Sequence, residues 1–214
     1  MSDKKFKIKV CGMREKENIH ALAELHPDFI GFIFYPGSKR YVGDNFDVQL
    51  IQHLPSAIAK TGVFVNEKAE IVIQKAKQYD LHFVQLHGHE SAAFCQQLKE
   101  AGLAVIKVFS IKDQFDFGIL NDYEAFCSYF LFDTKGKDLG GNGVKFDWEV
   151  LQNYKGKLPY LLSGGIGPED AEALKALPIQ PTGIDINSCF EEAPALKNID
   201  LLKQFFKELE YDKK

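Results

Sequence analysis

Phe29-Ile30-Gly31-Phe32-Ile33-Phe34 carries six uncharged residues in a row with no polar alternation. A strand wetted on one face alternates polar and apolar residues, so an unbroken apolar run of this length predicts a strand covered on both faces, as in a parallel sheet. The flanks agree. Upstream, residues from about 15 to 25 place Ile19, Leu22 and Ala23 on one helical face, and His26-Pro27-Asp28 ends it. Downstream lies the polar loop from Tyr35 to Val42 and then a helix expected around Phe46–Leu54, closed by Pro55.

This strand–loop–helix unit recurs along the chain. Strands are expected at 7–11, 29–34, 57–65, 83–86, 103–109, 129–132, 159–162 and 182–186. Helical patterns follow each of them. Asn66 is placed to cap the helix at 68–79, Pro168 opens another in its first turn, and Ile199, Leu202, Phe205, Phe206 and Leu209 share one face of the last. After the fifth strand, Phe115–Phe117 and Tyr123–Phe126 fit either one broken helix or two. Eight short βα units without a linker predict a single-domain (β/α)8 TIM barrel, α/β in class, over residues 1–214. A doubly wound open sheet is the other candidate, but Cys11-Gly12-Met13 is not its phosphate-turn fingerprint.

Bulk composition excludes several roles. The 214 residues carry 26 Lys and Arg against 30 Asp and Glu, a formal charge of −4 with no long basic run. No nucleic-acid surface is expected. No window approaches the ~18 apolar residues of a membrane span, and no apolar signal core follows the first lysines. A cytoplasmic protein is expected. The four cysteines lack metal-ribbon spacing, and Cys95 and Cys127 read as core thiols.

In a barrel the active site is built from the loops after the C-terminal strand ends. Those positions hold Cys11, Arg40, His87, Asp133, Ser163-Gly164-Gly165 and Asn187-Ser188. The glycines let backbone N–H groups approach an anion, and Asn187 and Ser188 add donors at the next strand end, so the seventh and eighth strands suit a phosphate. Cys11 reads either as a small buried residue or as a base whose thiol is acidified by nearby cations. Asp133 reads either as a turn residue or as a general acid. Arg40 can clamp a carboxylate through its fork or stand solvated on its loop. His87 is expected to line the pocket without a metal.

Taken in order, Val10-Cys11-Gly12-Met13, Ser38-Lys39-Arg40-Tyr41-Val42, Gly62-Val63-Phe64-Val65-Asn66, Val84-Gln85-Leu86-His87-Gly88, Leu131-Phe132-Asp133-Thr134 with Gly140-Gly141-Asn142-Gly143, Leu162-Ser163-Gly164-Gly165-Ile166 and Gly183-Ile184-Asp185-Ile186-Asn187-Ser188 resemble the phosphoribosylanthranilate isomerases. The resemblance implies an isomerase of tryptophan biosynthesis that performs an Amadori rearrangement. Its substrate would be N-(5-phosphoribosyl)anthranilate and its product 1-(o-carboxyphenylamino)-1-deoxyribulose 5-phosphate. It implies Cys11 as general base, Asp133 as general acid, Arg40 on the anthranilate carboxylate, and phosphate at Ser163, Gly164, Gly165, Asn187 and Ser188. No metal or organic cofactor is implied. A monomer is expected, with a dimer as the alternative, and residues 136–143 are expected to close over substrate. Asn187-Ser188-Cys189 departs from the family's usual pair of serines, or serine and glycine. The competing functions are a non-catalytic barrel that binds a phosphorylated metabolite and a pentulose-phosphate epimerase, which would want two carboxylates and commonly a metal.

Overall fold

The computed structural model describes residues 6–112, 114–134 and 147–209. Eight parallel strands close on themselves: β1 (Lys7–Cys11), β2 (Phe29–Ile33), β3 (Ala59–Phe64), β4 (Phe83–Leu86), β5 (Ala104–Ile111), β6 (Tyr129–Thr134), β7 (Tyr160–Leu162) and β8 (Gly183–Ile186). Pairing of Lys7 to Val10 with Gly183 to Ile186 shuts the barrel. Closure removes every sheet edge, so the backbone groups of these apolar strands find partners without water.

Alternate residues on each strand face inward or outward. Ile8, Val10, Ile30, Phe32, Phe130 and Phe132 belong to the large core between barrel and helices. Ile106, Val108, Leu131 and Leu161 fill a second cluster, flanked by Phe83 and Tyr129. The rings of Phe29, Phe83 and Tyr129 pack edge-on at 5.4 to 5.9 Å between centroids. The outer layer holds α1 (Lys16–Ala23), α2 (Gln49–Gln52), α3 (Ala69–Gln78), α4 (Ala92–Glu100), α5 (Asn121–Glu124), α6 (Ala171–Lys175) and α7 (Ile199–Glu208). The last is fixed through Leu202, Phe205 and Phe206, each worth roughly 1.5–3 kcal/mol on full burial.

Several local expectations change. The helix expected over 46–54 is a single turn, Gln49–Gln52. The ambiguous stretch after β5 is a 3-10 turn, Phe117–Leu120, running into α5. The segment from Trp148 to Asn153 is 3-10 rather than α-helical. Asn66 does not cap α3. Its φ of 49° turns it away, and its side chain accepts a hydrogen bond from the N–H of His89 (2.7 Å). A hairpin not expected from the pattern, β9 (Glu191–Ala193) and β10 (Leu196–Lys197), follows β8. Asn18 on α1 anchors it by exchanging two 2.8 Å hydrogen bonds with the backbone of Lys197. The loop at 136–143 lies outside the described residues.

Candidate active site

A cavity of about 550 Å³ opens at the C-terminal ends of the strands. Its lining includes all nine residues singled out from the sequence: Cys11, Arg40, His87, Asp133, Ser163, Gly164, Gly165, Asn187 and Ser188. They come from six different βα junctions, and the barrel turns strand-end positions scattered over the chain into one ring.

Asp133 sits inside β6, opposite Ser110 of β5 in the sheet register. One of its oxygens accepts the N–H of Thr134 at 2.9 Å. The other lies 3.2 Å from Nε2 of His87. His87 is held by a second buried network beneath it. Lys107 Nζ donates to the Gly88 carbonyl (2.8 Å) and to Glu90 (3.0 Å), while Glu90 accepts the N–H groups of Gly88 and Asn66. These bonds fix the backbone of the turn after β4, from which the His87 ring reaches Asp133.

Cys11 ends β1 and is 4% exposed. Burial pushes its thiol up, against the pull of Lys9 and Lys197. Lys9, two residues earlier on the same face, is fully buried and donates to Asp185 Oδ1 at 2.8 Å.

Arg40 does not stand solvated on its loop. Nε donates to both oxygens of Glu191 (2.8 and 3.0 Å) and Nη2 to Oε2 (2.7 Å). Among the described residues Nη1 meets no acceptor, so one end of the guanidinium remains for a ligand. Glu191 also accepts from Lys197 Nζ (2.6 Å) and from the N–H of Ala195 (3.1 Å). Burial works against the Glu191 charge, but Arg40 and Lys197 outweigh it and hold the carboxyl below the usual range. A depressed folded value means stability present above the unfolded value and lost as pH falls through the folded one. In melts run down from neutral pH, the advantage of wild type over Glu191→Gln should therefore begin to shrink near the ordinary glutamate value of about 4.3. An advantage that stays constant into strong acid would contradict this.

The turn after β7, where a phosphate site is expected, is shaped by its backbone. Gly164 and Gly165 have φ of 93° and 67°, conformations that L side chains rarely adopt. Ser163 at the start of that turn is tied to β6 by its N–H on the Phe132 carbonyl (2.8 Å). Asn187 lends its amide oxygen to Lys197 Nζ (2.8 Å), which leaves its Nδ2 as the side-chain donor. The buried cation Lys197 and the carboxylates Glu191 and Asp185 were not among the expected site residues. The one available hint was charge at alternate positions of otherwise apolar strands, as at Lys9 and Asp185.

A closed parallel barrel whose mouth is a cavity lined by a thiol, a carboxylate and a glycine turn has the architecture of the (β/α)8-barrel enzymes acting on small molecules. The sequence profile described as PRAI, N-(5'phosphoribosyl)anthranilate (PRA) isomerase, matches residues 8–208. An N-(5'-phosphoribosyl)anthranilate isomerase of Phocaeicola vulgatus is 47% identical over 203 residues, 94% of this chain and 97% of its own length. The crystal structure of phosphoribosyl anthranilate isomerase from Thermotoga maritima aligns with a TM-score of 0.86 at 32% identity, over 97% of this chain and 100% of that one. A phosphoribosyl anthranilate isomerase in complex with reduced 1-(o-carboxyphenylamino)-1-deoxyribulose 5-phosphate aligns with a TM-score of 0.83 at 30% identity, again over 97% and 100%. The chain belongs to the N-(5'-phosphoribosyl)anthranilate isomerase family.

Proposed function

We propose that this isomerase performs the Amadori rearrangement of N-(5-phosphoribosyl)anthranilate in tryptophan biosynthesis, with Asp133 as general acid and Cys11 as general base. The observation that carries the assignment is the presence of both groups, buried, on the wall of one cavity. Asp133 donates its proton to the furanose ring oxygen and the ring C–O bond breaks, leaving a protonated Schiff base. Cys11 as thiolate then takes the C2′ proton, and the C–H electron pair becomes the enolamine double bond that tautomerises to the ketose. Water is not a reactant, which fits a site walled by Ile33, Val63 and Ile166.

The phosphate is proposed to sit on Ser163, Gly164, Gly165, Asn187 and Ser188, and the anthranilate carboxylate on the free end of Arg40. Hydrogen bonds to charged groups are worth about 1.5–3 kcal/mol, so Arg40→Ala should raise KM roughly 10- to 100-fold. Arg40→Lys should recover little of it, because a single ammonium cannot reach both Glu191 and the carboxylate. Steady-state kinetics read both, and an unchanged KM would remove Arg40 from the site.

The proposed functional unit is the single barrel domain over residues 1–214. It is proposed to act in the cytoplasm, supported by four free cysteines and by the lack, among the described residues, of a helix long and apolar enough to cross a membrane. The proposed assembly is a monomer. Among the described residues the exposed large hydrophobics are Ile71 and Ile119, too few for an obligate apolar interface. Sedimentation of a dimer at micromolar concentration would overturn that. The whole reading is tested by growth: the gene should restore tryptophan-free growth to a bacterium lacking this isomerase, and failure of the expressed, folded protein to do so would refute it.

A further inference from the structure

We propose that the buried ammonium of Lys9 is the positioning group that makes Cys11 ionisable, with Asp185 as its opposing charge. The inference rests on the reading of Cys11 as base and adds the source of its basicity. A thiol in an apolar pocket stays protonated, since burial penalises the thiolate. A base at this position therefore needs a cation fixed within contact, and β1 supplies one. Lys9 and Cys11 are two residues apart and project to the same side of the strand.

Gly31 makes the contact possible. It pairs with Cys11 in the β1–β2 register. A methyl group at Gly31 would lie 2.8 Å from Cys11 Sγ and 3.0 Å from Lys9 Nζ, so both atoms crowd into the notch that the glycine leaves. An ammonium has three N–H donors. Asp185 Oδ1 takes one at 2.8 Å, and the Cys11 sulfur borders the same notch as the ammonium. Burial works against the Lys9 charge, yet Asp185 and the Cys11 side chain outweigh it and keep the ammonium above the ordinary lysine value. As a stability device alone the pair is a poor one, because buried ion pairs often match apolar replacements at best.

The charges facing Cys11 come from several elements. Lys9 lies on its own strand, Asp185 on β8 and Lys197 on β10; the first and third favour the thiolate and Asp185 opposes it. Arg40, His87 and Asp133 line the rest of the cavity. In the base step the S–H bond forms as the C2′–H bond breaks, and Lys9 keeps its proton throughout. Its charge stabilises the sulfur before the step and loses that partner after it.

The test is iodoacetamide labelling of Cys11 in the full chain across pH, read by peptide mass spectrometry, alongside the acid limb of kcat/KM. Lys9→Met should move the labelling midpoint to higher pH and slow labelling at neutral pH about tenfold or more. Asp185→Asn should move it the other way and speed labelling. If the stranded Asp185 carboxylate prevents Lys9→Met from folding, the double variant Lys9→Met/Asp185→Asn removes both charges. Its midpoint should lie above that of wild type, because Lys9 is the stronger influence of the two. The acid limb should follow the same order. A midpoint that stays with wild type in the Lys9 variants would overturn the proposal. Labelling does not require turnover, so the two readings separate. Near-full turnover of Cys11→Ala would refute the base assignment. An unmoved midpoint beside an inactive Cys11→Ala would refute only the role of Lys9.

Discussion

Cys11→Ala and Asp133→Asn are each expected to lose isomerisation by at least about 10²–10⁴-fold, the usual contribution of one acid–base group, while melting within a few degrees of wild type. Asparagine is nearly isosteric with the aspartate, and alanine at 11 is one heavy atom smaller than the cysteine. Asparagine keeps an oxygen that accepts the Thr134 N–H now bound by Asp133, and an amide nitrogen replaces the oxygen beside His87. Alanine at 11 removes one sulfur from a wall it shares with Ile33 and Val63, a small cavity at an open mouth. What the changes remove is the proposed proton donor at 133 and the proposed proton acceptor at 11. The loss should fall on kcat, with little change in affinity for an unreactive product analogue, because the proposed phosphate and carboxylate sites lie elsewhere in the ring. Single-turnover kinetics with calorimetric binding of such an analogue separate the two. A variant within tenfold of wild type would displace that residue from its role.

Gly164→Ala is expected to cost about 2–5 kcal/mol of stability, combining left-handed strain with overpacking, and to close the proposed phosphate site. The backbone there has φ of 93°, and a Cβ would lie 2.2 Å from Thr134 Oγ1 and 2.5 Å from the Thr134 nitrogen. The nitrogen belongs to β6 and cannot rotate away, so either the strand end carrying Asp133 or the turn carrying Ser163 must shift. Activity and stability should fall together. Gly102 is the control. Its φ is 84°, but nothing lies within 4 Å of its Cβ position. Gly102→Ala should therefore cost only the left-handed strain of about 1–2 kcal/mol and leave turnover intact. Equal losses at the two positions in denaturant melts would show that strain alone, and not contact with β6, governs the turn.

The strands were legible because their burial is one-dimensional information. A strand covered on both faces is largely apolar, and Phe29–Ile33 and Phe130–Phe132 show this without reference to any partner. The short connecting elements were less legible. Gln49–Gln52, Asn121–Glu124 and the 3-10 turn Trp148–Asn153 are single turns whose form depends on what they pack against. Asn66 had the right side chain to cap α3, but Glu90 bonds its N–H and His89 its side chain. Those two partners lie 24 and 23 residues away, beyond the reach of any local pattern.

The same division holds at the site. Cys11, Asp133, Gly164 and Asn187 can be read from the order of residues as ending strands or following them, and in a barrel every such position opens on one mouth. Periodicity fixes the face on which a residue lies, and the strand end fixes its height. Which of these groups pair is settled by the folded barrel. Arg40 meets Glu191 across 151 residues and Lys9 meets Asp185 across 176. Both contacts exist because β1 pairs with β8 and the following hairpin folds back over the opening. A charge in an apolar strand announces that a partner must exist, since burying it alone is prohibitive. Which carboxylate fills that place is set by the register at which the barrel closes, and no stretch of chain shorter than the barrel contains it.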